Sequence, residues 1–459
     1  MKLIRPTKIT DGGGSFSRAS TGTYRDSTGV IQTAANNVPR TNYVYSITKS
    51  TWLLDDILIE PARTNMLLNS TNLSTQTVDT TAVQYTLSFF GTGTVTLSGT
   101  ASGAVTGTHA SIRTVHTFNA TAGSLNLTVA GSVTNANLEV GGFATSWIPT
   151  TGASVTRAAD VCSGTGMIYS NVAENEYPQW VSGTSYVLGD RVIRTTSNTH
   201  SVYERVVVGA GTTPPESDPN NWLRVGPTNK WAAYDDSPST LTTNAETITY
   251  ILKPGRINSI ALLELESTEV AIGIHLNGEK QFYGYNDLLT NENVGNWYEY
   301  FYEPFYYQTS LALTDLVNAA ILDLPQYADA VLTITIRKPG GSPYVGVIAC
   351  GIAFELGKTQ TGMNVGINDY SKKDVDNFDN IVLVRRRYSK RIRASFFLYS
   401  KRVDVVANLL TQYRATPVVW IAADAQYNSL VVYGFYRDWD IGIPNNIGSF
   451  CNIEIEGLT

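Results

Sequence analysis

Four aromatic residues in one short stretch are the first candidates for chemistry: Trp180, Tyr186, Tyr203 and Trp222. Two lie in "QWVSGTSYVLGDRVI", and Trp222 ends the proline-rich loop "TTPPESDPNNW". Flat apolar rings either pack a miniature core or stack on the CH faces of sugars, with the tyrosine hydroxyl free to hydrogen-bond. A denser set follows in "NWYEYFYEPFYY", which places eight aromatics between Trp297 and Tyr307. Trp297, Tyr298, Tyr300 and Tyr302 are read as core plus a subunit interface, in preference to a glycan platform. A basic run, "VRRRYSKRIRASFFLYSKR", carries Arg385, Arg387, Arg391 and Arg393. In an alternating strand half of these charges share one side, and a protein contact within an assembly is the preferred role over nucleic acid.

Catalytic constellations are sparse. The four histidines, His109, His116, His200 and His275, show no HxH or HExxH spacing, and neither a GxSxG elbow nor a Walker-type loop occurs. "DGGGS" (Asp11–Ser15) follows no long strand and opens no helix, so a flexible loop is expected there and not a phosphate cradle. The pairs Asp55-Asp56 and Asp235-Asp236 have the residue types of glycosidic acid–base work. Neighbouring acids on a strand point to opposite faces, however, so neither pair is read as catalytic. The three cysteines, Cys162, Cys350 and Cys451, are far apart and form neither a disulfide framework nor a metal motif. No catalytic residue, metal or cofactor is expected, and the chain is read as a non-enzyme.

The elements that must position these residues are strands. With 459 residues, two to four domains are expected. Charged residues make up 16%, against the roughly 25% usual in globular proteins, while Gly (38) and Tyr (26) abound. Sheet walls joined by polar turns fit that balance. The net charge of −6 argues against nucleic-acid binding by the chain as a whole. No signal peptide and no apolar run of about 20 residues is seen, so synthesis in a cytoplasm without membrane insertion is expected.

Residues 1–64 read as extended and loop-rich. Residues 65–160 carry short alternating segments such as "GTVTLSGTA" and "SLNLTVAG" at roughly ten-residue spacing, the pattern of a jelly-roll-like sandwich. Residues 161–228 form a small insert. Residues 229–360 read as a second β-sandwich, with Lys-Pro-Gly turns at 253–255 and 338–340. Residues 361–459 read as an α+β lobe, its helix marked by Val403, Val406, Leu409 and Leu410. The predicted class is mainly β and multidomain: an N-terminal sandwich, a small three-stranded module, a second sandwich and a C-terminal α+β lobe.

Two resemblances add to this reading. Trp180, Tyr186, Gly189-Asp190, Val192, Tyr203 and Trp222 resemble the short chitin-binding type of carbohydrate-binding module, over about 45 residues. "IRTTSNTHS" stands where that family has an aromatic-Gly turn. The resemblance implies a miniature three-stranded sheet with some aromatics buried and others facing a sugar. Over residues 15–162 the chain resembles the N-terminal portion of tailed-bacteriophage tail and baseplate proteins. The matching residues include Phe16, Arg18, Ala19, Tyr24, Glu60, Pro61, Arg63, Thr64, Asn65, Trp147, Pro149, Arg157 and Ala158. That resemblance implies a virion component at the tail tip, present in several copies, displaying carbohydrate-binding modules toward host polysaccharide and contacting other tail proteins. A structural adaptor between tail hub and fibres, and a polysaccharide depolymerase, are the alternatives.

Overall fold

The computed structural model describes residues 1–196, 199–287, 317–375, 381–422, 430–443 and 448–458. The aromatic candidates Trp297, Tyr298, Tyr300 and Tyr302 lie outside the described residues.

The fold is mainly β and multidomain. Residues 76–140 form a sandwich of two antiparallel sheets. One runs in the order Gly103–Thr106, Thr94–Gly99, Gly123–Ala130, Gln76–Thr80; the other is His109–Asn119, Gln84–Gly91, Thr134–Val140. The period-two pattern drives it. In Thr94–Gly99, Val95 and Leu97 turn inward and Thr96 outward, meeting Leu125, Leu127, Leu87 and Phe89 in one core. Each such side chain removed from water contributes roughly 1.5–3 kcal/mol.

A second sandwich faces a six-stranded sheet against part of a much larger curled one. The six-stranded sheet runs Asp11–Ser17, Val161–Ser170, Thr247–Lys253, Val331–Arg337, Glu269–Leu276, Glu279–Asp287. Ile248, Tyr250, Leu252, Ile272 and Ile334 project from it onto Ile260, Leu262 and Ile348 of the large sheet. Both Lys-Pro-Gly turns have Gly255 and Gly340 at positive φ (77° and 69°), as a type II turn requires.

The N-terminal segment, read from sequence as extended and loop-rich, joins these parts. Residues 1–64 contain strands throughout, including Lys2–Pro6, Gly22–Arg25, Ile31–Ala34, Thr41–Ser46 and Thr51–Ile57. Lys2–Pro6 lies in the large sheet between Tyr344–Glu355 and Val418–Ile421, antiparallel to both. One sheet therefore runs across residue 360, where the sequence placed a division. Asp11–Ser17 is also a strand and not the expected flexible loop. A Cβ at Gly12 would lie 2.6 Å from the Thr165 carbonyl oxygen, and one at Gly14 would lie 2.3 Å from that of Met167. The glycines let two backbones pass closely, the usual reason for glycine inside a strand.

At the C-terminal end, the helix Val403–Gln412 buries Val406 and Leu410 against Trp420, Phe396 and Ile453 of the large sheet. The small module has a three-stranded sheet of Arg191–Thr196, Thr199–Arg205 and Trp222–Pro227, with Ser185–Tyr186 paired to Gly209–Ala210 at its end. No helix among the described residues is long and apolar enough to cross a membrane.

Candidate functional site

The aromatic candidates of the small module turn inward. Tyr186, Tyr203 and Trp222 are 8%, 5% and 2% exposed and pack with Val192 into one cluster. Tyr186 meets Trp222 edge to face at 5.0 Å, and the Arg205 guanidinium caps the indole at 5.0 Å. A ring enclosed to that degree has no face for a sugar. These three residues are the module's core, because a sheet this small has little else to bury. Trp180 is half-buried against the same cluster, and Arg194 sits over its ring at 5.0 Å.

Of the basic residues singled out in the C-terminal lobe, Arg391 and Arg393 lie on an alternating strand. In Tyr388–Tyr399, Ile392 and Ala394 are buried, while Arg393 is exposed and pairs with Glu454 at 2.9 Å. Arg391 stands opposite Glu456 in register. Arg385 and Arg387 are exposed in the connection before that strand.

The residues behind the second resemblance converge in a buried polar clasp. Arg40 reaches both Glu60 (2.8 Å) and Asp160 (2.6 Å), Arg157 reaches Glu60 (2.6 Å), and Arg18 reaches Asp160 (3.0 Å). The side chains of Arg18, Arg40 and Asp160 are fully enclosed. Ser146 donates its backbone N–H (2.6 Å) and its hydroxyl (2.7 Å) to Glu60. Burial alone would push the Glu60 carboxyl up; Arg157 and Arg40 outweigh it and hold the group at about 2. Asn65 works in the same region, donating to the carbonyls of Ala136 (2.9 Å) and Ile148 (2.7 Å). These contacts tie the N-terminal strands to both ends of the jelly-roll-like sandwich.

In front of the clasp lies a cleft of about 430 Å³, within the range of small-molecule sites. Its lining comes from Gly22–Arg25 and Ile31, the hairpin Thr41–Ser46/Thr51–Ile57 with residues 58–60 after it, the sandwich strands at Phe90 and Arg113, residues 143–147, and the turn from His275 to Lys280. Its aromatic side holds Tyr45, Trp52 and Phe90, with Arg25 between the last two. Tyr45 meets Trp52 edge to face at 5.3 Å and stacks on His109 at 5.2 Å with 13° between planes. The Arg25 guanidinium lies 4.0 Å from the Phe90 ring centre and 5.2 Å from that of Trp52. The Asp26–Val30 turn backs this wall. Gly29 has φ of 82°, and a Cβ there would fall 2.1 Å from the indole of Trp52.

Polar groups fill the rest. Asp55 accepts from Lys280 (2.8 Å) and Asn42 (3.1 Å) at the rim. Asp56 turns the other way, buried, and bonds His275 Nε2 (2.8 Å), the Thr333 hydroxyl (2.6 Å) and the Ile57 N–H (2.7 Å). The adjacent acids do point to opposite faces. Arg113 donates to the Ser88 hydroxyl at 2.7 Å, and its Nε is buried without a partner. Flat rings beside planar, fixed hydrogen-bonding groups suit a ligand with alternating CH and OH faces.

Tyr24, Arg25, Tyr45, Trp52, Phe90 and Arg113 were not singled out as binding residues from sequence. The one local signal was Trp52 opening the strand "TWLLDDILIE"; the others meet only through tertiary pairing. Among the described residues no group of three or more His, Cys, Asp or Glu is placed to hold a metal ion.

No family model matches this chain. No curated protein matches it. Among solved structures, one described as "Structure of allantoicase" aligns over 76% of this chain and 93% of its own length, at 11% identity and a TM-score of 0.15. A similarity at that score carries no argument about fold or activity.

Proposed function

We propose that this chain is a structural component of a phage tail tip or baseplate that binds host surface polysaccharide and contacts other tail proteins. The observation that carries the binding part is the cleft walled by Tyr45, Trp52 and Phe90 and edged by Arg25, Asn42, Asp55 and Arg113. Sugars stack on such rings through their CH faces while hydroxyls reach the planar polar groups. The small module contributes as a folded spacer or contact surface, since its aromatics are spent on its own core. Contact with neighbouring tail proteins is assigned to the exposed Arg385 and Arg387 and to the outer face carrying Arg391 and Arg393. Weak sites become strong when several copies face one surface, because the later binding events are effectively intramolecular.

A second reading, a glycan-cleaving enzyme, is favoured by His275 and Asp55 lining the same cleft, with the buried Asp56 bonded to His275 behind it. Time dependence separates the two. Purified chain incubated with bacterial surface polysaccharide should saturate and release no reducing ends as a binder. A steady release of reducing ends, abolished in His275→Gln, would replace binding with turnover. Mass spectrometry of purified phage particles tests the virion assignment: the chain should co-purify with tail proteins, and its absence from intact particles would remove that assignment.

A further inference from the structure

We infer that the cleft recognises an acidic sugar, with Arg25 and Arg113 holding its carboxylate or phosphate while Trp52 and Tyr45 take the ring; this rests on the glycan-binding reading above. Both guanidiniums line the cleft, and neither has a carboxylate within ion-pair distance among the described residues. Arg25 uses one N–H on the Gly29 carbonyl (2.7 Å), and Arg113 uses one on Ser88. Each guanidinium carries five donors in a planar fork, the shape that takes carboxylate or phosphate bidentately.

Most of the nearby acids are committed: Glu60 and Asp160 are held by the three arginines of the clasp and Asp55 by Lys280, while Glu139 is bonded by the neutral Thr145 N–H (3.0 Å) and hydroxyl. The clasp sets three guanidiniums against two carboxylates and has no negative charge to spare. Burial disfavours the charge on both arginines; for Arg25 the neighbouring Arg113 adds repulsion, while for Arg113 the Glu139 and Glu60 carboxylates partly offset the burial and Arg157 adds to it. Two like charges meet at this cleft without an ion-pair partner among the described residues, and an incoming anion between them answers both.

The test uses the full chain and an array of bacterial oligosaccharides. Uronate-containing members are printed beside their carboxyl-reduced forms, and glycerol-phosphate-bearing members beside dephosphorylated ones. The expected hits are acidic members that lose at least tenfold in affinity on neutralisation, and the pair that responds identifies carboxylate or phosphate as the anion. Arg25→Gln, checked by thermal melting, should close the gap between the acidic member and its neutral partner. Arg113→Lys, which keeps the charge but loses the fork, serves if Arg113→Gln fails to fold, and should weaken acidic binding several-fold. Equal binding of acidic and neutral members would overturn the anion inference and leave the glycan reading standing. No binding to any member would overturn both.

Discussion

Replacing Glu60 by glutamine tests the clasp, and its size can be worked from the contacts. The substitution keeps volume and shape but removes the charge that Arg40 meets at 2.8 Å and Arg157 at 2.6 Å, both with side chains at most 2% exposed. Asp160 still reaches Arg40 and Arg18, so Arg157 is left without any carboxylate. Breaking a buried pair by removing one partner costs about 3–5 kcal/mol, because the other charge stays buried and unpaired. The N-terminal transition in urea should therefore shift its midpoint by about 1–2.5 M, given a slope near 2–3 kcal/mol per M. The pH dependence has a definite sign. The folded-state carboxyl is held at about 2, below its ordinary value of 4.5, so its contribution is complete above pH 4.5 and fades as pH falls toward 2. The parent should lose stability across that window, while Glu60→Gln, already lacking the carboxylate, should show a flatter profile there. The assay is urea unfolding followed by tryptophan fluorescence, which Trp147 reports from the same region through its Nε1–H bond to Ser70 (3.1 Å). A midpoint moved by less than about 0.3 M, under about 1 kcal/mol, with an unchanged acid limb, would refute the reasoning.

Three further predictions follow from burial and close approach. Trp222→Ala should unfold the small module, at about 3–5 kcal/mol for a buried aromatic, exposing residues 177–226 to limited proteolysis; Trp180→Ala, at a half-buried ring, should cost clearly less. Gly273→Ala should destabilise by about 1–3 kcal/mol, since its Cβ would sit 1.9 Å from the Asp56 carboxylate, and thermal melting should show a lower midpoint. His200 bridges Glu174 (2.7 Å) and Asp11 (3.2 Å) and stacks on Trp231, joining the module to the six-stranded sheet. Burial opposes its charge, but those two carboxylates raise its pKa above 6.5. That joint should be tightest below pH 6.5 and weaken as pH rises through the raised value, read as faster protease cleavage of residues 171–176 at pH 8 than at pH 6; a His200→Gln variant should show no such pH dependence.

What the sequence made legible was what local pattern governs. Alternation in "GTVTLSGTA" predicted which side Val95 and Leu97 take, and the spacing of Val406 and Leu410 predicted the buried stripe of the helix. The turn chemistry at Gly255 and Gly340 followed from Pro-Gly, and the divergence of Asp55 and Asp56 followed from strand geometry. Long-range pairing was not legible. Nothing in "KLIRP" announces that it sits between strands 344–355 and 418–421, nor in "DGGGS" that its glycines admit a neighbouring strand. The module's aromatics were ambiguous for a physical reason: core packing and sugar stacking select the same rings, and only enclosure separates them. The cleft was hidden because Arg25, Trp52, Phe90 and Arg113 come from separate elements, with no periodicity linking them.

The most direct test of glycan recognition compares the parent, Trp52→Ala and Trp180→Ala chains, each confirmed folded, on immobilised bacterial surface polysaccharide. The parent and Trp180→Ala should be retained alike, and Trp52→Ala should lose at least tenfold in affinity, about 1.4 kcal/mol of stacking. A folded Trp52→Ala that binds as the parent does, or binding lost only in Trp180→Ala, would contradict the cleft as the recognition site.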